Sequence, residues 1–305
     1  MYKALVIINN QYINMKHFLL TVILFPLISI GTLSAQDTNE GVDIIKKMLV
    51  EIPKTQRLQY SLKTWERFNQ GKKEVNAVIL TKWNRNPLKI YLKNIEGANT
   101  NVEVLWVKGE YDNKAYLNKL WGLKLDPYGS LIRKDQHHTL FNTGFDMIAD
   151  ILGQALKRAE KEAINHPELS PDAIFKYDGD VNWAGKSCYK IVISDPEFKY
   201  VSYTVKEGET LDSYAKANRI CGYLVIDNNS NVNGFDDFDA GNTIKVPTSY
   251  AKNTVLYIDK QSYMPIVQIM SDEKGPFERY EFHDLKINPT FQALEFTEDF
   301  AEYDF

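Results

Sequence analysis

The stretch Leu58-Gln59-Tyr60-Ser61-Leu62-Lys63-Thr64-Trp65-Glu66-Arg67 decides the fold class. Successive side chains of an extended chain point to opposite sides, so Leu58, Tyr60, Leu62, Thr64 and Glu66 would share one face and Gln59, Ser61, Lys63, Trp65 and Arg67 the other. Asn69-Gln70-Gly71 follows as a turn. Further strand-like runs at 75–83, 88–93, 102–107 and 114–120 are separated by Asn84-Arg85-Asn86-Pro87, Glu96-Gly97 and Lys108-Gly109. Links this short cannot cross over a sheet, so the runs form an antiparallel meander.

Working outward, residues 42–50 place Ile44, Ile45, Met48 and Leu49 at helical spacing until Pro53 stops the pattern. On the other side, Asn142-Thr143 is predicted to cap a long helix running to about Asn165, with Phe145, Ile148, Ala149, Leu152 and Leu156 on one face and Lys157, Arg158, Glu160, Lys161 and Glu162 on the other. Strands resume at 174–177, 188–194, 254–258, 265–271 and 277–285. The class is α+β, a curved antiparallel sheet with helices covering one side.

Residues 203–248 interrupt that pattern with the order strand, helix, helix, strand. Tyr203-Thr204-Val205, Gly208-Glu209-Thr210-Leu211, Ala215, Asn228, Gly241 and Ile244-Lys245-Val246-Pro247 make the segment resemble a LysM module, the small βααβ glycan-binding domain. The resemblance implies contact with peptidoglycan or an N-acetylglucosamine oligomer through Gly208, Glu209, Thr210, Leu211, Asn228, Asn229, Ser230 and Val232. Backbone amides and short polar side chains suit acetamido and hydroxyl groups. Tyr214, where a branched aliphatic is usual, and the long acidic connection Asn233–Asp239 depart from the pattern. A module tied at both ends could also serve as a structural lid.

The flanking blocks, 36–202 and 249–305, form the host domain. Leu125-Asp126-Pro127-Tyr128-Gly129-Ser130-Leu131, Gln136-His137-His138, Gly144-Phe145-Asp146, Glu281-Phe282 and Phe296-Thr297 resemble a family of secreted bacterial proteins known only as a domain of unknown function. That family is similar in layout to the periplasmic lipoprotein carriers, the LolA-like fold, an unclosed β-barrel with covering helices. The likeness implies an apolar cleft for a lipid or lipoprotein acyl chain, with Trp65, Phe68, Trp83, Tyr91, Trp106 and Trp121 as candidate lining.

The chain has 305 residues, 44% hydrophobic and 25% charged, and a net charge of −4, a balance that suits a folded protein and lacks the basic footprint of a nucleic-acid binder. Residues 1–35 read as a secretory signal behind a short upstream extension: Met15-Lys16-His17, an apolar run from Phe18 to Ile30, then Gly31-Thr32-Leu33-Ser34-Ala35. The expected location is the periplasm or the exterior.

Chemistry-bearing motifs are sparse. Neighbouring residues on a strand point apart, so His137-His138 could hold one ion only in a turn, and one ring inside with one outside is the expectation; Gln136, His137 and His138 remain a candidate polar site. Asp180-Val181-Asn182-Trp183-Ala184-Gly185-Lys186-Ser187 is one residue short of a phosphate loop and reads as a hairpin turn. Asn229, Asn231, Asn233 and Gly234 imitate a calcium loop but lack its closing Glu. Cys188 and Cys221, the only two cysteines, could be bonded or free. No nucleophile motif, metal set or cofactor signature emerges. The expectation is a non-enzymatic envelope protein binding an acyl chain, with the module on peptidoglycan. An envelope hydrolase working through the Gln136–His138 region, and a structural module binding an envelope or outer-membrane protein, are the alternatives.

Overall fold

The computed structural model describes residues 40–119 and 122–305; the expected signal segment, residues 1–35, and Trp121 lie outside them. The first helix, α1 (Glu40–Glu51), buries Val42, Ile44, Ile45 and Met48. It leads into β1 (Arg57–Phe68), β2 (Lys73–Asn84), β3 (Lys89–Glu96), β4 (Glu103–Val107), β5 (Ala115–Leu117) and β6 (Leu123–Leu125), the meander foreseen from the alternation. The short α2 (Ser130–Arg133) and the long α3 (Asp146–Glu162) cross the sheet, and α4 (Pro171–Ile174) leads into β7 (Phe175–Trp183) and β8 (Lys186–Ser194). Then come β9 (Tyr200–Thr204), α5 (Leu211–Asn218), α6 (Gly222–Asn228) and β10 (Thr243–Pro247). The chain finishes with β11 (Asn253–Asp259), β12 (Pro265–Asp272) and β13 (Gly275–Ile287).

Among the described residues, eleven strands make one sheet in the order β6-β5-β4-β3-β2-β1-β13-β12-β11-β8-β7, every neighbouring pair antiparallel. The last strand returns to pair with the first, Thr64 opposite Tyr280 and Glu66 opposite Glu278. The end strands β6 and β7 are not neighbours, so the sheet stays unclosed. Register shifts in β1, β2, β7, β11 and β12 mark bulges, which bend a strand and increase its twist. Trp106 of β4 and Ile191 of β8 consequently share one core with Ile45 and Met48 of α1 and Phe145, Ile148 and Leu152 of α3. At Gly41 a Cβ would stand 2.3 Å from the Phe175 carbonyl oxygen, which is why glycine lets α1 lie directly on β7.

The opposite face of the sheet is covered too. Tyr91, Leu105 and Val107 pack with Phe296, Phe291, Tyr303 and Phe305 of the C-terminal tail. Tyr91 stacks on Tyr303 at 3.8 Å, and the buried Lys82 ammonium lies 2.7 Å from Glu295.

Two local expectations need correction. The long helix begins at Asp146, not at Asn142-Thr143: the Asn142 side-chain oxygen instead accepts from the Thr139 amide and hydroxyl and closes a short 3-10 turn. Arg85 then clamps Asp146 at the helix start with bonds of 2.7 and 2.8 Å, an acid on the positive end of the helix dipole. The hairpin turn after β7 is confined to Ala184-Gly185, both at positive φ, while Asp180 to Trp183 belong to the strand.

Candidate functional site

Even-numbered residues of β1 and odd-numbered residues of β2 point inward, as register pairs such as Leu62 with Ile79 and Thr64 with Ala77 require. The chain between α2 and α3 passes over this face. Arg133 holds it: the buried guanidinium donates to the His137 carbonyl oxygen at 3.0 Å, pairs with Asp212 of α5 and lies over the Phe235 ring. Between sheet and crossing chain is a cavity of about 420 Å³, within the range of small-molecule pockets. Its walls are Leu62, Val75, Ala77, Ile79, Leu92 and Phe282 from the sheet and Met147 and Ile148 from α3. Glu66, Gln136, His138 and Tyr280 add polar groups, Thr139, Asn142 and Thr143 add more, and the exposed Lys73, Glu74, Glu96 and Asn99 also line the space.

A second cavity of about 380 Å³ lies between α3 and strands β8 and β11, with Ile151, Ala155, Ile193, Thr254 and Tyr250 among its lining. The two spaces meet a common buried polar cluster. Glu278, fully buried, receives the Tyr250 hydroxyl on Oε2 at 2.8 Å and faces His137 Nδ1 at 2.9 Å, His138 Nε2 at 3.3 Å and Cys221 Sγ at 3.4 Å on Oε1. Its register partner Glu66 accepts from the Tyr280 hydroxyl at 2.6 Å and the His137 amide at 3.1 Å. Two carboxylates directly opposite on one face repel, and Arg67 is spent elsewhere, on Asp272 at 2.5 Å and on the Gly275 and Pro276 carbonyls. The histidines answer that charge. Burial works against a charged His137, but Glu66 and then Glu278 outweigh it, so its pKa is raised. Burial likewise opposes charge on Glu278, and the two imidazoles overcome it, holding the carboxyl well below the usual range. The Cys221 thiol, buried beside that carboxylate, is pushed far up.

His137-His138 lies in a bend, not on a strand. The expectation of one ring in and one out is thereby corrected: His137 is buried and His138 partly so, and both reach the same carboxylate oxygen. Gln136 is exposed at the cavity edge. Of the expected aromatic lining, none of the five described residues borders the main cavity. Trp83 and Trp106 are core residues, Phe68 packs edge-on against His137 and Tyr223, Trp65 bonds Glu74 on the outer face, and Tyr91 lies under the tail. The aromatics that do line it are Tyr60, Tyr280 and Phe282. Alternation in β1 pointed to Tyr60, whereas Tyr280 and Phe282 become lining only because β13 pairs with β1.

Strands β9 and β10 pair as a separate two-stranded sheet. This insert has its own core of Val205, Leu211, Ile220, Val225, Val232 and Ile244, but Cys221, Tyr223 and Leu224 of α6 belong to the core of the main sheet. Most of the expected sugar-binding set has internal work. Thr210 caps α5 through the Ser213 amide, Glu209 accepts from the Tyr203 hydroxyl and the Lys206 amide, and Leu211 and Val232 are buried. Asn228 donates to the Tyr200 hydroxyl, and Asn229 bonds both backbone groups of Lys245. Gly208 and Ser230 stay exposed. Asn233 bonds Asp237 in the former calcium-loop candidate. Both cysteines are free: Cys188 donates to the Lys186 carbonyl, while Cys221 faces Glu278.

A family model described as "Protein of unknown function (DUF1571)" matches residues 55–216. No curated protein sequence matches the chain. Among solved structures, similarity extends to MucB, at 13% identity over 84% of this chain and 62% of that one with a TM-score of 0.37, so the chain spans less than two thirds of MucB. It extends also to lipoprotein LppX of Mycobacterium tuberculosis, at 10% identity over 83% of this chain and 97% of that one, TM-score 0.37. A LolA superfamily protein from Nitrosomonas europaea is similar at 8% identity over 85% and 98% of the two chains, TM-score 0.31.

Proposed function

The chain belongs to the DUF1571 family of proteins of unknown function, and from that premise we propose that it is an exported envelope protein that binds a lipid or lipoprotein acyl chain without transforming it. The observation that carries this reading is the cavity of about 420 Å³ between sheet and crossing chain. Aliphatic residues of the sheet and of α3 line it, and polar residues lie among and around them, so both parts of an amphiphile find a partner. Each methylene buried there contributes about 0.8 kcal/mol, so a chain of ordinary length binds without a dedicated polar contact. The exposed Gln136, with His138 beside it, receives the headgroup or the lipidated residue.

In the same reading the insert contacts peptidoglycan through its exposed positions Gly208, Thr210 and Ser230. Ser230→Arg is the informative change, because Thr210 and Asn228 also hold the module together.

The test is native mass spectrometry with lipid extraction of the chain from Gln36 onward, purified without detergent, alongside binding of a fluorescent fatty acid to the lipid-stripped protein. A co-purified acyl species, or saturable one-to-one uptake of the probe, is the expected result. A folded protein that carries no lipid and takes up no probe ends the carrier reading. Sedimentation with peptidoglycan, weakened in Ser230→Arg, is expected for the insert, and its absence in the unaltered chain ends that half.

A further inference from the structure

We propose that His137, Cys221 and Glu278 form a buried site for a divalent transition-metal ion, zinc by the chemistry of its donors, which staples the insert to the sheet. One ligand atom from each of the three lies within 4.8 Å of the others, and all three residues are buried. They come from three separate parts of the chain: the bend before α3, the residue preceding α6, and β13.

The protonation geometry points to a cation. His137 Nε2 is 3.0 Å from the Arg67 carbonyl oxygen, which can only accept, so Nε2 carries the hydrogen. Glu278 Oε1 lies 2.9 Å from Nδ1, so the line between them carries a positive centre, either the second proton of an imidazolium or a metal ion in its place. A single proton would satisfy that pair alone. A metal ion would satisfy at once the imidazole, the carboxylate and the Cys221 sulfur at 3.4 Å from the same oxygen, the thiol giving up its proton as the ion binds. Zinc sits about 2.0–2.3 Å from nitrogen, oxygen and sulfur ligands, which sets its ligands roughly 3.3–3.7 Å apart at the tetrahedral angle. The two contacts to Glu278 Oε1, 2.9 and 3.4 Å, bracket the lower end of that range, and the full triad lies within 4.8 Å.

The surroundings are those of a metal ligand set. His137 gives its other ring hydrogen to a backbone carbonyl, and Glu278 receives the Tyr250 hydroxyl on its free oxygen, the outer contacts that orient ligands and raise their basicity. A dication offsets the facing carboxylates Glu66 and Glu278 and a thiolate, for which the neighbouring Arg67 is unavailable. Thiolate with imidazole selects zinc over magnesium or calcium. Because the site is closed, the ion enters as the chain folds.

The experiment is elemental analysis of the full chain purified without chelator, followed by stripping, titration with zinc against a chromophoric chelator, and substitution with cobalt. Expected are about one zinc per chain and a thiolate-to-cobalt absorption band that disappears in Cys221→Ser and persists in Cys188→Ser. Affinity should fall at least about 100-fold in His137→Gln, since even outer-shell changes cost up to that much. Should either variant fail to fold, the band and the stoichiometry of the unaltered protein decide alone. The proposal is overturned if the zinc-loaded chain retains less than about a tenth of an equivalent after dialysis, or if stoichiometric binding survives unchanged in Cys221→Ser.

Discussion

Replacing Ala77 by Trp tests whether the main cavity is where an acyl chain goes. Ala77 sits on the inner face of β2, opposite Thr64 of β1, and lines the cavity between Val75 and Ile79. Its small side chain leaves space that an indole would fill, and aromatic residues suit strands. An aromatic side chain buries roughly 150–250 Å², so at about 25 cal/mol per Å² the contact denied to a ligand is about 4–6 kcal/mol. The cost of immobilising the ligand is common to both proteins, so only this difference counts. At 1.4 kcal/mol per decade, affinity for a fluorescent fatty acid should fall roughly 10³- to 10⁴-fold. Thermal stability should hold or rise, because the indole fills empty space instead of crowding a packed core. Probe titration of lipid-stripped protein, with circular dichroism melts of the same samples, reads both quantities. A variant that melts like the unaltered protein and binds the probe within threefold would refute the assignment of the cavity.

Other consequences concern the frame around the site. Arg67→Met should cost about 3–5 kcal/mol in urea unfolding, because it leaves Asp272 buried without its partner at 2.5 Å and two carbonyls without a donor; a loss under about 1 kcal/mol would contradict that. Gly41→Val should destabilise by at least the 1–3 kcal/mol typical of overpacking, since its Cβ meets the Phe175 backbone at 2.3 Å, and an unchanged urea midpoint would show that α1 lifts freely from β7. Truncation after Asn288 should bare Tyr91, Leu105 and Val107, raising binding of a hydrophobic dye and promoting association; a truncated chain that stays monodisperse and dye-free would count against the tail's covering role. Tyr280→Phe removes the 2.6 Å donor to Glu66 and should cost about 1–3 kcal/mol, measured again by urea unfolding with the slope unchanged.

How far the chain could be read without coordinates depended on range. The alternation from Leu58 to Arg67 marked the inward set of β1, and Leu58, Tyr60, Leu62, Thr64 and Glu66 do face inward, because a period of two is enforced by the backbone itself. The helical face of Ile148, Leu152 and Leu156 was equally legible and is buried. Aromatic content misled: Trp65 and Tyr91 sit on the outer face, and only strand parity, not residue type, tells which side a ring takes. The pair His137-His138 misled for the opposite reason. A strand would have split them, whereas the bend that unites them follows from Arg133 gripping the His137 carbonyl.

Local sequence, then, determined the class of this protein: antiparallel strands joined by tight turns, an amphipathic helix over them, and a strand-helix-helix-strand insert. Each of these rests on contacts within a few residues or on a repeating period, and such information is written along the chain. The pairing of β13 with β1, which sets Glu66 against Glu278, and the lodging of Cys221 from the insert beside His137 were decided only by the tertiary structure. They join residues 212 positions apart in the first case and 84 in the second. No periodicity encodes such a meeting, and it arises only when the whole sheet curls and buries its inner face.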